Sequence, residues 1–184
     1  MPLFFRMSAG GSEELVRPSE SIGLALSRGC LNSEFQYLDH MLLEGTVRED
    51  SGDVFPDFLF DDGANIPLVS DRFYRHLVNA GVDNLFYKPI DLTNEFDERH
   101  RYWLALPPRI RALSHESIIE EDADYHYREA TRIVIDPARV GNYQIFELAD
   151  VVNNDIIVTE RLKTSIERAG FTNVFFDEVD GVFF

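Results

Sequence analysis

The chain has 184 residues and 45% of them are hydrophobic, which is typical of one folded domain. Its formal net charge of −16 argues against nucleic acid or an anionic membrane as a direct partner, because both are bound through basic surfaces. Cys30 is the single cysteine, so neither an internal disulfide nor a CxxC metal site is possible. With no signal-peptide pattern and no apolar run near ~20 residues, we expect a cytoplasmic protein.

The N-terminal third gives the weakest structural signals. Residues 2–7 favour an edge strand, since Pro2 suits a position that donates no ladder hydrogen bond. Ser33 is a potential N-cap, and Gly45 a potential end, of a helix with one apolar face formed by Phe35, Leu38 and Leu42. We treat residues 1–56 as an N-terminal segment of the same domain as residues 57–184.

One pattern occurs twice, at residues 66–90 and 155–179, and an offset of 89 residues aligns the two copies without a gap. Ser70 and Thr159 are predicted helix N-caps, because their side-chain oxygens can accept from free amides of the first turn. Gly81 and Gly170 are predicted to end these helices. Aromatic and β-branched residues follow each glycine and favour strands. We therefore predict two equivalent strand-helix-strand units.

The remaining apolar runs predict strands and one short helix. Strands are expected at residues 101–106, 109–113, 132–136 and 143–148, with Pro107-Pro108 breaking the first pair apart. Pro137 begins a predicted helical turn that ends at Gly141. Because helices do not follow every strand, the expected class is α+β: a single domain in which the two repeated units pack with a mixed or antiparallel sheet.

Catalytic signatures are missing from the sequence. There is no GxGxxG, GxxxxGK[ST], HExxH or GxSxG pattern. The stretch from His115 to His126 mixes imidazoles with carboxylates such as Glu121, so a metal-dependent enzyme is one alternative. The calcium-loop pattern is not met there, and a solvated acidic surface is the simpler interpretation. We expect no catalytic residue, metal or cofactor.

The acidic stretch is also the candidate partner-binding surface. Aromatic residues beside charges are enriched at protein interfaces. The predicted contact residues are Glu120, Glu121, Asp122, Asp124, Tyr125 and Tyr127. Tyr102 and Trp103 are further aromatic candidates, for which packing in the core is the alternative.

Four ordered segments together resemble a known family. They are IPLVSDRF at residues 66–73, YWLALPPRIRALSHE at 102–116, RIVIDPARVGNYQIFEL at 132–148 and DIIVTERLKTSIERAGFTNVFFDEV at 155–179. This order is similar to that of bacterial polymorphic-toxin immunity proteins of immunity family eleven. The resemblance covers about Phe58 to Val179. One departure is the segment at Pro107-Pro108-Arg109, where the family pattern has a more apolar strand.

The resemblance implies a non-catalytic cytoplasmic protein that binds and neutralises a cognate toxin encoded by a neighbouring gene. The charge of −16 adds the expectation that the toxin has a basic active cleft. A non-catalytic adaptor of a secretion or gliding apparatus is the other alternative beside the enzyme.

Overall fold

The computed structural model describes residues 3–11, 14–18, 43–60, 66–122, 127–153 and 155–179. Within these ranges it contains twelve strands and three helices, so the predicted α+β class is confirmed. Pro2, Cys30 and residues 33–42 of the predicted N-terminal helix lie outside the described residues. None of the helices described has the length and apolar character that crossing a bilayer requires.

The elements follow one another along the chain with these bounds. The first half contains β1 (Phe4–Ser8), β2 (Leu43–Thr46), β3 (Phe58–Phe60), β4 (Pro67–Ser70), α1 (Asp71–Asn79), β5 (Phe86–Thr93) and β6 (Arg99–Leu106). The second half contains β7 (Arg109–Ile110), β8 (Ile118–Asp122), β9 (Tyr127–Arg132), α2 (Pro137–Val140), β10 (Ile145–Leu148), β11 (Ile156–Thr159), α3 (Glu160–Ala169) and β12 (Phe175–Glu178).

Contacts divide the described chain into two compact units. Unit one takes the described residues within Met1–Ser8, Pro107–Ala169 and Phe175–Phe184, and unit two those within Ala9–Leu106 and Gly170–Val174. Unit one has a sheet of order β12-β1-β11-β10-β7 and a separate β8-β9 hairpin. Unit two has a sheet of order β2-β5-β6-β4-β3. The boundary expected at residue 56 stays a prediction.

Unit two is built around α1, whose start and end follow the sequence signals. The Ser70 Oγ accepts from the backbone N of Phe73 at 3.2 Å, which caps the helix. Phe73 and Leu77 are fully buried, and Gly81 ends the helix at a φ of +78°. On the other face of the sheet, Leu68, Leu104 and their neighbours form an apolar cluster. Each side of this sheet is therefore covered by packed side chains.

A buried carboxylate clamps the start of α1. Asp57 is 8% exposed and accepts from the Ser70 Oγ at 2.6 Å and from the Arg72 guanidinium at 2.5 Å. The backbone N of Thr172 donates to the same carboxylate at 2.9 Å. Burial opposes ionisation of Asp57, but these donors outweigh it and lower its pKa to about 2. Asp57 is thus held as a carboxylate by donors from two segments of unit two, the start of α1 and the loop at Thr172.

In unit one, α3 has an N-cap like that of α1, but its capping hydroxyl makes fewer hydrogen bonds among the described residues. The Thr159 Oγ1 accepts from the backbone N of Leu162 at 3.4 Å at the start of α3. Leu162 and Ile166 are the buried residues of this helix. The Lys163 Nζ lies 4.7 Å from the ring centroid of Phe5, so its charge rests on the β1 side of the helix.

In each unit, the two strands of the repeated segment are not paired with each other. A third strand lies between them and pairs with both in antiparallel fashion. In unit two this strand is β6, which lies between β4 and β5; in unit one it is β1, which lies between β11 and β12. The registers also agree under the offset of 89. The partners are Leu68 and Lys88 for Leu104, and Ile157 and Asp177 for Arg6.

Three local predictions are wrong, because pairing with distant strands decides the outcome. The strand at residues 4–8 is central in its sheet, not an edge. Residues 43–46 form β2, which pairs in parallel with β5, so the predicted helix does not extend to Gly45. At RIVID, Ile133 and Val134 are buried outside regular strands, because the strand pairing with β8 ends at Arg132.

Candidate partner-binding surface

The acidic stretch forms a two-stranded hairpin that sequence analysis did not predict. In its register Glu120 lies opposite Glu129, and Glu121 lies opposite Arg128. All four of these residues are exposed. The run lacks the alternating apolar pattern of a half-buried strand, since only Ile119 is apolar and partly buried near its centre. That is why the periodicity signal missed it.

The hairpin is fixed to unit one along β9. The Asn153 side chain accepts from the backbone N of Ala130 at 2.8 Å and donates to the Ala130 carbonyl at 3.1 Å. The backbone N of Val152 donates to the Arg128 carbonyl at 2.9 Å. Ala130 is buried and Ile119 packs against the same apolar cluster. The outer edge of β9 is therefore covered, and the hairpin has a defined position within its unit.

Negative charge dominates the exposed side of the hairpin. Arg128 and Glu121 are 3.8 Å apart, but both are well exposed, so their ion pair contributes little to stability. Glu120 and Glu129 face each other across the strands, and like charges in that position repel. No ion pair with either of them is present among the described residues. The surface retains an electrostatic repulsion that a basic ligand would relieve.

The predicted contact residues fall into two groups. Glu120, Glu121 and Tyr127 lie on the hairpin, where Tyr127 is 39% exposed. Asp122 is the last residue of β8 and pairs with Tyr127, but its side chain lies outside the description. Asp124 and Tyr125 lie outside the described residues. A partner-binding role for this set stays a prediction.

The metal-dependent alternative gains no support from the geometry. Within the described ranges, no group of three or more His, Cys, Asp or Glu side chains is placed to hold a metal ion. His115 is exposed, and His126 lies outside those ranges. The described part of the stretch therefore presents separate side chains at a surface.

The other aromatic candidates are in or against the core of unit two. Tyr102 is 2% exposed and its hydroxyl donates to the Pro56 carbonyl at 2.5 Å. Burial raises its pKa. Trp103 stacks on Tyr74 at a centroid distance of 4.0 Å and donates to Asp71 at 3.2 Å. An interface role for Tyr102 is wrong, because a buried ring with a satisfied hydroxyl is a packing residue.

Glu147 is a partly buried carboxyl that sequence analysis did not single out. It lies in β10 among buried Ile145, Phe146 and Leu148, and burial raises its pKa to about 7. Arg109 partly opposes this shift, with its Nε 3.9 Å from the Glu147 Oε2. Arg109 also donates to the Leu148 carbonyl at 3.2 Å. The sequence signal was an acid inside an apolar strand, which alternation alone assigns to a solvent-facing position.

A small cavity of about 60 Å³ lies in unit two, near Val47, Phe55 and Phe96. Sites for metabolites usually enclose roughly 300 Å³ or more. This cavity is large enough for a few water molecules, so it offers no substrate site.

The family comparison agrees with the resemblance seen in the sequence. The model of the immunity protein family (Imm11) matches residues 24–181, which extends the similarity well before Phe58. No curated protein matches the chain. The match spans most of the sequence, including both repeated segments and the acidic hairpin. The chain belongs to the immunity protein family (Imm11).

Proposed function

We propose that the protein binds a cognate toxin in the cytoplasm and neutralises it by direct contact, without catalysing a reaction. The observation that carries this proposal is the family match over residues 24–181. A family of immunity proteins acts against toxins, so a toxin is the partner that the match supports.

Charge supports a toxin with a basic active cleft. The net charge of −16 steers a basic partner toward the protein, since complementary fields accelerate association. The exposed hairpin concentrates that charge at Glu120, Glu121 and Glu129. The proposed contact surface lies there, where exposed acidic side chains can bind a cleft that otherwise receives an anionic substrate.

The test is co-expression with the product of the adjacent gene. The expected result is that the adjacent product arrests growth when expressed alone and that this protein restores growth and co-purifies with it. An adjacent product that is harmless when expressed alone would instead favour the adaptor alternative, and turnover of a small molecule by the purified protein would contradict the proposal.

Charge reversal then tests the surface. The double change E120K and E121K is expected to weaken toxin binding and abolish growth rescue, because it reverses the field at the hairpin. The matched control is D177K and E178K, which reverses two exposed acids on β12 of the same unit. Equal rescue by both variants would place the contact surface elsewhere.

A further inference from the structure

Among the residues that the structure describes, the outer edge of β8 has no strand paired with it. Residues 118–122 pair with β9 on one side only. On the other side, the described chain supplies no backbone or side-chain partner to the strand. Proteins usually cover, charge or shorten such edges, because unpaired amides and carbonyls are a template for another strand.

The bonds of β9 identify which groups of β8 point outward. The backbones of Arg128 and Ala130 bind Val152 and Asn153 on the far side of β9. Backbone direction alternates along a strand, so the residues between and beside them, Glu129 and Tyr127, are directed toward β8. Their partners on β8 therefore bond inward, and the intervening Ile119 and Glu121 present their N–H and C=O groups at the open edge.

We propose that an extended segment of the cognate toxin adds to this edge as a third strand, with Lys or Arg placed beside Glu120. This inference rests on the proposed function and specifies how the partner is held. Main-chain hydrogen bonds to Ile119 and Glu121 provide the affinity of strand addition, and side chains at alternate positions provide its selectivity.

The side chains of the hairpin select a basic segment. A residue added opposite Glu120 lies on the same face as the Glu120–Glu129 pair, so a cation there relieves the repulsion between two facing acids. A second copy of this chain is disfavoured at the same edge, since it would bring Glu120 and Glu121 against identical charges.

The described part of unit one also leaves the outer edge of β12 unpaired, but no acid faces another acid across that ladder. Its Phe176 already lies near a cation, with the Lys163 Nζ 5.8 Å from the ring centroid. The backbone N of Val179 donates to the Phe4 carbonyl on β1, so the preceding Glu178 points its N–H away from the sheet. Glu178 is therefore a matched control for Glu121: an exposed acid with an outward N–H on an open edge.

Amide hydrogen exchange tests the proposal without any variant. The probe is the toxin domain encoded by the adjacent gene, bound to the full-length protein. In the free protein the amides of Ile119 and Glu121 are expected to exchange faster than those of Glu120 and Asp122. In the complex Ile119 and Glu121 are expected to become protected. A complex that forms while both amides keep exchanging freely overturns strand addition.

Proline substitution gives the second measurement. Glu121→Pro removes the outward N–H while leaving the inward ladder bonds of Glu120 and Asp122, and it is expected to raise the Kd at least about tenfold. Glu121→Thr keeps that N–H and separates the loss of charge from the loss of the hydrogen bond. Glu178→Pro is expected to leave the Kd unchanged.

The outcomes distinguish this inference from the function on which it rests. If the wild-type protein neither binds nor neutralises the toxin, both the proposed function and strand addition are wrong. Neutralisation by the wild type, together with unchanged binding by Glu121→Pro, removes strand addition alone. Equal weakening by Glu121→Pro and Glu178→Pro also overturns it, because the effect would not be specific to the β8 edge.

Discussion

The two repeated segments reach the same register with different supporting contacts. In each segment, two strands lie on either side of one antiparallel strand that comes from elsewhere in the chain. A helix lies between those two strands in the sequence. The start of α1 carries a buried carboxylate, Asp57, which binds both Ser70 and Arg72. At the start of α3 the Thr159 hydroxyl caps the helix, and no ion pair with Arg161, the counterpart of Arg72, is present among the described residues. The two copies therefore share a local pattern and a strand register, but the starts of their helices differ in tertiary contacts.

The largest expected difference between the copies lies in their first buried helix residue. Phe73→Ala is expected to lower the free energy of unfolding by about 3–5 kcal/mol, because the ring is fully buried and stacks on Phe171 at 4.4 Å. Leu162→Ala, at the matching position of α3, should cost about 2–4 kcal/mol. Urea unfolding of both variants measures the difference, and a larger loss for Leu162→Ala would contradict it.

The partly buried Glu147 carboxyl of unit one should give stability a pH dependence of opposite sign to that given by Asp57 in unit two. The pKa of Glu147 is raised to about 7, so the folded state keeps the proton as pH rises above 4.5 and stability falls between pH 4.5 and 7. Glu147→Gln removes this loss and is expected to stabilise the protein at pH 8 by about 2–3 kcal/mol.

The same substitution should have little effect at pH 4, where the carboxyl is protonated in both states. Chemical unfolding at the two pH values checks this expectation. Glu120→Gln, an exposed change in the same unit, is the control. Destabilisation by Glu147→Gln at pH 8 would show that the carboxylate is favourable in the fold, contrary to the burial argument.

Asp57 provides the counterpart in unit two. Its pKa is lowered to about 2, so the stability it contributes is present above about pH 4 and is lost as pH falls through 2. Asp57→Asn is expected to cost about 2 kcal/mol at pH 7 and much less near pH 2. Unfolding curves at both pH values measure the effect; an equal cost at both would assign it to packing, not charge.

The smallest expected changes in the free energy of unfolding come from removing the two helix N-caps, Thr159 and Ser70. Thr159→Ala should cost about 1 kcal/mol, the typical value for a lost N-cap. Ser70→Ala should cost about 1 kcal/mol more, because it also removes a donor from the buried Asp57 carboxylate. The double variants with Asp57→Asn test the coupling: the extra cost at Ser70 should shrink when Asp57 is changed, and the cost at Thr159 should not.

Local signals allowed the repeated segments to be found from sequence. Features without such local signals were missed. Ser70, Thr159, Gly81 and Gly170 act through bonds and dihedral angles within a few residues, so their roles at the helix ends are readable from the chain. The central position of β1 depends on β11 and β12, which follow it by about 150 residues, and no local pattern encodes that pairing.

Composition singled out the stretch that forms the candidate surface, but it did not predict the two strands of the hairpin. The clustering of Glu120, Glu121 and Tyr127 with other charges and aromatics drew attention to the stretch, but its strands are stabilised by Asn153 and Val152 from a distant loop. Glu147 and Asp57 were missed for the same reason, because burial of a carboxyl depends on neighbours that only the fold brings together.

The central position of β1 also bears on the order in which its sheet can form during synthesis. The strand is translated before its two neighbours, β11 and β12, which follow much later in the sequence. Until then its two sets of ladder groups remain without their native partners, and pairing across so many residues is slow. The sheet of unit one is therefore expected to reach its native pairing only after β11 and β12 have been made.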